Sequence, residues 1–249
     1  MPPTQNSTLG SVLATVLLHP PATAQFQHLV AFGSGLQISS HIRQLLEAYP
    51  SIARITIIVR KLNARLDALL RDLTRTYPSA SFVGLSSADA EPTESAVREA
   101  DVTCCATPST VPLFPSEWVR SGTHVILVGS YTPQMAEVES ALIRRARVVL
   151  VDSRSACAVE AGELIAAGVP QTDMIEVGEL IRRAPARDDE NSWAWEPDTQ
   201  RVAEILSAST GDVTIFKSVG IGAQDIAIAV ATVERAMEMG IGTMVPDFE

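Results

Sequence analysis

Short apolar runs alternate with helical patterns along most of this chain, and that alternation constrains the fold more than any other feature. HLVAF, RITIIV, SFVGL, DVTCCA, THVILV and ARVVLV read as strands. Between them, LQISSHIRQLLEAY and NARLDALLRDLTRTY carry apolar residues at helical spacing and stop at Pro50 and Pro78, and TESAVREA, PSEWVR and EVESALIRR add shorter helical segments. A strand that is apolar throughout has no solvated face, so it belongs in a parallel sheet covered by helices on both sides. The expected class is therefore α/β with a doubly wound parallel sheet. Residues Arg182 to Gln200 are polar and aperiodic and read as a surface excursion; DVTIFKSVG then resumes as a strand, and AQDIAIAVATVERAMEMG closes the chain as a helix.

The first strand-to-helix junction, LVAFGSGLQISSHIRQLL, carries the motif with the most chemistry. Gly33 permits a tight turn, Gly35 removes a side chain where backbone would approach a pyrophosphate, and the helix start offers free N–H groups and a positive dipole end. The third glycine or alanine of that fingerprint is Ile38 here, so the glycines alone leave a nucleotide turn and a plain β-α turn both open. The second strand ends IIVRKLNAR, with no carboxylate where a ribose hydroxyl would be bound. Arg60, Lys61 and Arg65 stand there instead. A guanidinium matches a phosphate by two parallel donors, so a dinucleotide at this turn is expected to be NADP(H) in preference to NAD(H).

Composition narrows the partners. With 46% hydrophobic and 19% charged residues the chain can bury a substantial core, and a formal charge of −10 opposes nucleic acid. Cys104, Cys105 and Cys157 read as packing residues in a reducing compartment. LGSVLATVLL followed by ATA resembles a leader, yet no basic residue precedes Arg43, so an amphipathic or buried helix with Leu9, Val12, Leu13, Val16 and Leu17 at helical spacing is expected, in a cytoplasmic chain. The NST at Asn6 is then a chance match. No stretch is long and apolar enough to span a bilayer. The histidines, His19, His28, His41 and His124, lack metal-ligand spacing, and no metal is expected.

FGSGLQ, ADVTCCATPSTVPLF, HVILVGSYTPQMAEV, VDSRSACAVEAGEL and TIFKSVGIGAQDIAIAVATVERA occur in the order and spacing of one family. In these blocks the chain resembles the ornithine cyclodeaminase/mu-crystallin family over roughly residues 5 to 240. The resemblance implies a Rossmann-type NAD(P)-binding domain and remnants of a second domain that forms the substrate pocket and the dimer. It divides the chain into an N-terminal helix of that second domain (1–21), the NAD(P)-binding domain (22–211) and a C-terminal return (212–249). It implies cofactor contacts at Gly33, Ser34, Gly35, Leu36, Gln37, Arg60, Lys61, Arg65, Ala106, Thr107, Val128 and Ser130. Tyr131, Ser130 and Ser218 would line the reacting end. The substrate would be a small imino or amino acid, and a homodimer stays open.

Two departures shape the functional expectation. The cyclodeaminases are similar in carrying an aspartate base two places past the glycine of the VG loop, where this chain has Tyr131. A phenol is a poor base at neutral pH but can donate a proton to an imine or carbonyl. Family proteins also carry a long further segment, with the lysine and arginine that handle the substrate, before the helix matching Ser7 to Leu18. The leading expectation is an NAD(P)H-dependent oxidoreductase resembling ketimine or cyclic-imine reductases or amino-acid dehydrogenases. The alternatives are a catalytically impaired NADPH-binding protein and an ornithine cyclodeaminase. Of the remaining candidates, His41 reads as a surface or inter-element packing residue and Lys217 as part of a structural strand. Asp225 reads as a favourable helix-start charge, and Glu160 with Glu163 as a solvated face.

Overall fold

The computed structural model describes residues 4–186 and 189–243. The chain opens with α1 (Thr4–Leu18) and enters the alternating region through β1 (His28–Phe32), α2 (Leu36–Ala48), β2 (Arg54–Val59), α3 (Ala64–Thr76) and β3 (Ser81–Ser86). It continues with α4 (Ala90–Glu99), β4 (Val102–Cys105), β5 (His124–Leu127), α5 (Ser140–Arg144), β6 (Ala146–Val151), α6 (Arg154–Glu160), α7 (Gly162–Ala167) and β7 (Met174–Glu176). Then come β8 (Ile181–Ala186), β9 (Asp189–Pro197), α8 (Thr199–Ala208), β10 (Val213–Lys217) and α9 (Gly222–Glu238).

Among the described residues the main sheet has eight strands in the order β3-β2-β1-β4-β5-β10-β6-β7, and every pairing in it is parallel. This is the doubly wound Rossmann-type arrangement expected from the apolar runs. Val213–Lys217, which the sequence places in the return segment, is an interior strand between β5 and β6. One face of the sheet packs Ile38, Ile42 and Leu45 of α2 and Leu66 and Leu73 of α3; the other packs Val97, Leu142, Cys157 and Leu164. All three cysteines are free and buried in this packing. Asn63 starts α3 by accepting the Leu66 N–H at 3.1 Å, with Asp67 in the first turn and Arg75 in the last.

Three expectations need correction. Residues 182–200 are not an aperiodic excursion: β8 and β9 form an antiparallel hairpin and α8 follows. The ladder is made by backbone groups, with an Arg182–Glu196 pair at 2.6 Å across it.

Helix α1 keeps only part of its apolar pattern, with Leu17 buried and Val12 and Val16 packed against the core. Leu9 and Leu13 are exposed, whereas Thr8, Ser11, Ala14 and Thr15 are fully buried. Their hydroxyls explain the choice, because they meet imidazoles. Ser11 Oγ lies 2.9 Å from His41 Nε2, and Thr15 Oγ1 lies 3.1 Å from His124 Nε2. His124 Nδ1 and His19 Nε2 each lie 2.8 Å from Thr214 Oγ1. His41 is thus an inter-element packing residue.

Glu163, expected on a solvated face, is the third correction. Its side chain is fully buried, 3.1 Å from Lys217 Nζ, because α7 turns it inward under the sheet's C-terminal end. Among the described residues no helix is long and apolar enough to cross a membrane.

Candidate functional site

Strands β1 and β4 are sheet neighbours whose crossovers run in opposite directions, which opens a crevice beyond their C-terminal ends. Two adjoining cavities occupy it. The larger, about 590 Å³, is lined by residues that include Gly33, Ser34, Arg60, Lys61, Asn63 and Thr107. The smaller, about 280 Å³, is lined by Gln37, Ala106, Thr107, Pro108, Val128, Gly129, Tyr131 and Val219. Thr107 and Pro108 belong to both, so the two form one cleft across the switch in strand order.

Gly33 makes the turn at the mouth of this cleft. Its φ of +114° is open to glycine, and a Cβ there would lie 3.2 Å from the Ala106 carbonyl oxygen and 3.3 Å from Ile38 Cγ1. Ile38 therefore sits where the fingerprint asks for a small residue, and it packs against Gly33 with no exposed surface. Gly35 is the N-cap of α2, with no side chain capping the helix, and a Cβ on it would meet nothing within 4 Å. Uncapped N–H groups at a helix start, next to open space, fit a pyrophosphate. Arg60 and Lys61, at the end of β2, are exposed on the cavity wall and pair with no acid among the described residues. The residues present fit a dinucleotide.

Of the residues expected to contact a cofactor, Leu36 points to solvent, Arg65 lies on α3 outside the cavity lining, and Ser130 is buried beneath it. The expected catalytic trio separates in the same way. Tyr131 is exposed and lines the smaller cavity. Ser130 is fully buried, its hydroxyl donating to the Met135 carbonyl at 3.1 Å, and Ser218 donates to Asp152 Oδ2 at 2.7 Å. Both serines shape the cleft and neither presents its hydroxyl to it.

The structure gives roles to two carboxylates that the quoted blocks contain but did not assign. Asp152 Oδ2 also accepts the N–H groups of Val219 and Gly220 at 3.0 and 2.7 Å, which fixes the loop after β10 beside the smaller cavity. Glu137, with no exposed surface, accepts from Thr107 and Gly129. Burial pushes its carboxyl above the usual carboxylate range, an effect opposed by Lys217 and by these hydrogen bonds. Lys217 Nζ donates to the Ser130 carbonyl and faces Glu163, so the lysine supports the loop from below and does not reach the cleft. Asn63 carried a sequence signal as a helix N-cap; Asp152 and Glu137 fall within quoted blocks that gave them no role, since only the fold brings these carboxylates under loops.

A cavity of about 760 Å³ lies alongside β6 and β7, lined by Arg144, Arg147, Arg154 and Arg201 among others. Arg147 is bonded to the Gly211 carbonyl, Arg154 to Glu179 and Arg201 to Glu204. Its arginines are largely engaged by the protein, and it lacks the glycine turn and the strand switch of the cleft.

The same framework recurs in proteins of known structure and sequence. Delta(1)-pyrroline-2-carboxylate reductase of Colwellia psychrerythraea is 31% identical over 226 residues, covering 90% of this chain and 63% of that protein. The ketimine reductase mu-crystallin of Mus musculus is 29% identical over 220 residues, covering 88% and 58%. Thermococcus litoralis Delta(1)-pyrroline-2-carboxylate reductase, solved with NADH and L-proline, superposes with a TM-score of 0.71 at 20% identity, over 97% of this chain and 66% of that one. The chain thus spans about three fifths of the length of such curated relatives. The model of the Ornithine cyclodeaminase/mu-crystallin family matches residues 13–240. With the glycine turn, the switch-point cleft and the inserted tenth strand in place, this chain belongs to the ornithine cyclodeaminase/mu-crystallin family.

Proposed function

We propose that the chain binds NADP(H) in the cleft and serves an oxidoreductase that reduces a small cyclic imine or ketimine acid, as the names of its reductase relatives suggest. The observation that carries this reading is the continuous cleft from Arg60 and Lys61, past Gly33 and the uncapped start of α2, to Tyr131. Gly33 and α2 would hold the pyrophosphate, and Arg60 with Lys61 the adenosine-side phosphate. Loops 106–108 and 128–131 would enclose the nicotinamide end. When bound, the cofactor supplies hydride to the imine carbon. Tyr131 would hold a proton near the imine nitrogen, and the loops would orient the substrate and exclude water. Helices α1 and α9, which meet beside the sheet, support a second unit built from both ends of the chain.

One observation favours a second reading, a nucleotide-binding chain without turnover: of the three expected catalytic side chains only Tyr131 opens onto the cleft. Fluorescence titration with NADPH and NADH, followed by imine-dependent NADPH oxidation, separates the readings. Tighter NADPH binding with turnover of a pyrroline or piperideine carboxylate supports the reductase. Binding without turnover by the folded chain selects the second reading, and no binding of either dinucleotide removes both.

A further inference from the structure

Past Ala106 and Val128, whose N–H groups still bond to Phe32 and Cys105, the N–H groups that follow β4 and β5 have run out of sheet. The ladder between these strands ends at Cys105 and Leu127, with one further bond from the Val128 N–H to the Cys105 carbonyl at 3.0 Å. Beyond it the two chains stay close: a Cβ on Gly129 would lie 2.3 Å from the Thr107 nitrogen and 2.1 Å from its carbonyl oxygen. One carboxylate takes up the donors left over. Glu137 Oε1 accepts the Thr107 N–H at 2.6 Å and the Thr107 hydroxyl at 2.9 Å, and Oε2 accepts the Gly129 N–H at 2.7 Å. The backbone around it reaches the far side of the same loop, through Leu113 N–H to the Glu137 carbonyl at 2.8 Å and Ala136 N–H to the Ser109 carbonyl at 2.9 Å.

Thr107 lies where the two cavities of the cleft join, and Gly129 lines the smaller one. We infer that Glu137 is a positioning residue for the cofactor cleft: its carboxylate sets the spacing of the Thr107 and Gly129 loops, and through it the width of the nicotinamide end. This role rests on the dinucleotide reading of the cleft. It also accounts for an acid buried at this position. A charge without exposed surface is tolerated where several donors converge on it, and here those donors come from both walls of the smaller cavity.

Glu137→Gln keeps the volume but turns one acceptor into an N–H₂ group facing an N–H, whereas Glu137→Asp keeps the charge and shortens the reach. Amide hydrogen exchange of the full chain without ligand reads the tie directly. Titration with NADPH, and separately with adenosine 2′,5′-bisphosphate, reads its consequence. The expected result for Glu137→Gln is faster exchange confined to 106–113 and 128–131. NADPH binding should weaken about ten-fold or more, the size of a lost charged hydrogen bond. The bisphosphate, held at Arg60 and Lys61, should bind as before. If the Gln variant does not fold, Glu137→Asp carries the test, with the same pattern at smaller amplitude. Unchanged exchange in both loops with unchanged NADPH binding would overturn the role. So would exchange that rises across the whole chain with equal weakening of both ligands, as expected of general destabilisation. A wild-type chain that binds neither ligand, while its two loops still loosen together in the Gln variant, would overturn the nucleotide reading and leave the tie itself standing.

Discussion

Lys217 on β10 lies 3.1 Å from Glu163 on α7, and neither side chain has exposed surface. The same ammonium donates to the Ser130 carbonyl, so one cation holds the end of the inserted strand, the helix beyond β6 and the loop after β5 together. Breaking a buried pair leaves the other charge uncompensated. Lys217→Met should lower the unfolding free energy by ~3–5 kcal/mol, and adding Glu163→Leu should restore part of that loss. Denaturant unfolding of the single and double variants checks it; additive losses would show that the two charges are not coupled.

Acid should destabilise the fold through its histidines. Burial lowers His19, His28 and His41 from 6.5 to about 4, and His124 further still, with the neighbouring His19 adding to that shift. Folded imidazoles therefore stay neutral between pH 6.5 and 4 while unfolded ones take up protons, and each unit of difference is worth ~1.4 kcal/mol for a fully buried group. This part of the stability is complete above pH 6.5 and declines as the pH falls towards 4. Denaturant midpoints measured at pH 7.5 and 5 should differ accordingly, and equal midpoints would contradict the buried seam under α1.

Arg60→Ala should raise the dissociation constant for NADPH by about 10- to 100-fold, the range of a charge-assisted hydrogen bond, with little change for NADH. Parallel titrations measure this. An equal effect on both dinucleotides would mean that Arg60 does not read the 2′-phosphate.

At Gly33 the φ of +114° would strain any side chain, and its Cβ would press on the Ala106 oxygen at 3.2 Å. Gly33→Ala should cost ~1–3 kcal/mol of stability and abolish dinucleotide binding at concentrations that saturate the parent. Retention of full binding would displace the pyrophosphate from this turn.

Tyr131→Phe removes a hydroxyl at the rim of the smaller cavity, where 56% of the residue is exposed. Loss of a proton donor predicts NADPH binding within about two-fold of the parent and imine turnover lower by roughly 10²-fold. Unaltered turnover, measured at saturating imine, would assign the proton to another group or to water.

Much of the framework could be read from residue order. Strands buried on both faces, such as HLVAF and RITIIV, have no stable home outside a helix-covered parallel sheet, so their alternation with amphipathic helices was enough to determine the doubly wound class. Gly33 and the basic end of β2 announced the cleft because their chemistry is local: a backbone turn and a charge at a strand end. What depended on contacts between distant segments could be decided only by the tertiary structure. β10 reads like any apolar strand, and its place between β5 and β6 follows from pairing on both sides. The inward face of α1 was decided by imidazoles that meet its hydroxyls from α2 and the sheet, against part of the apolar pattern. Glu137 and Glu139 stand two residues apart as similar acids in MAEVES. One is buried under Thr107 and Gly129, and the other accepts from Ser116 at the edge of the fold. A carboxylate's role depends on which donors converge on it, and those donors are brought there from elsewhere in the chain.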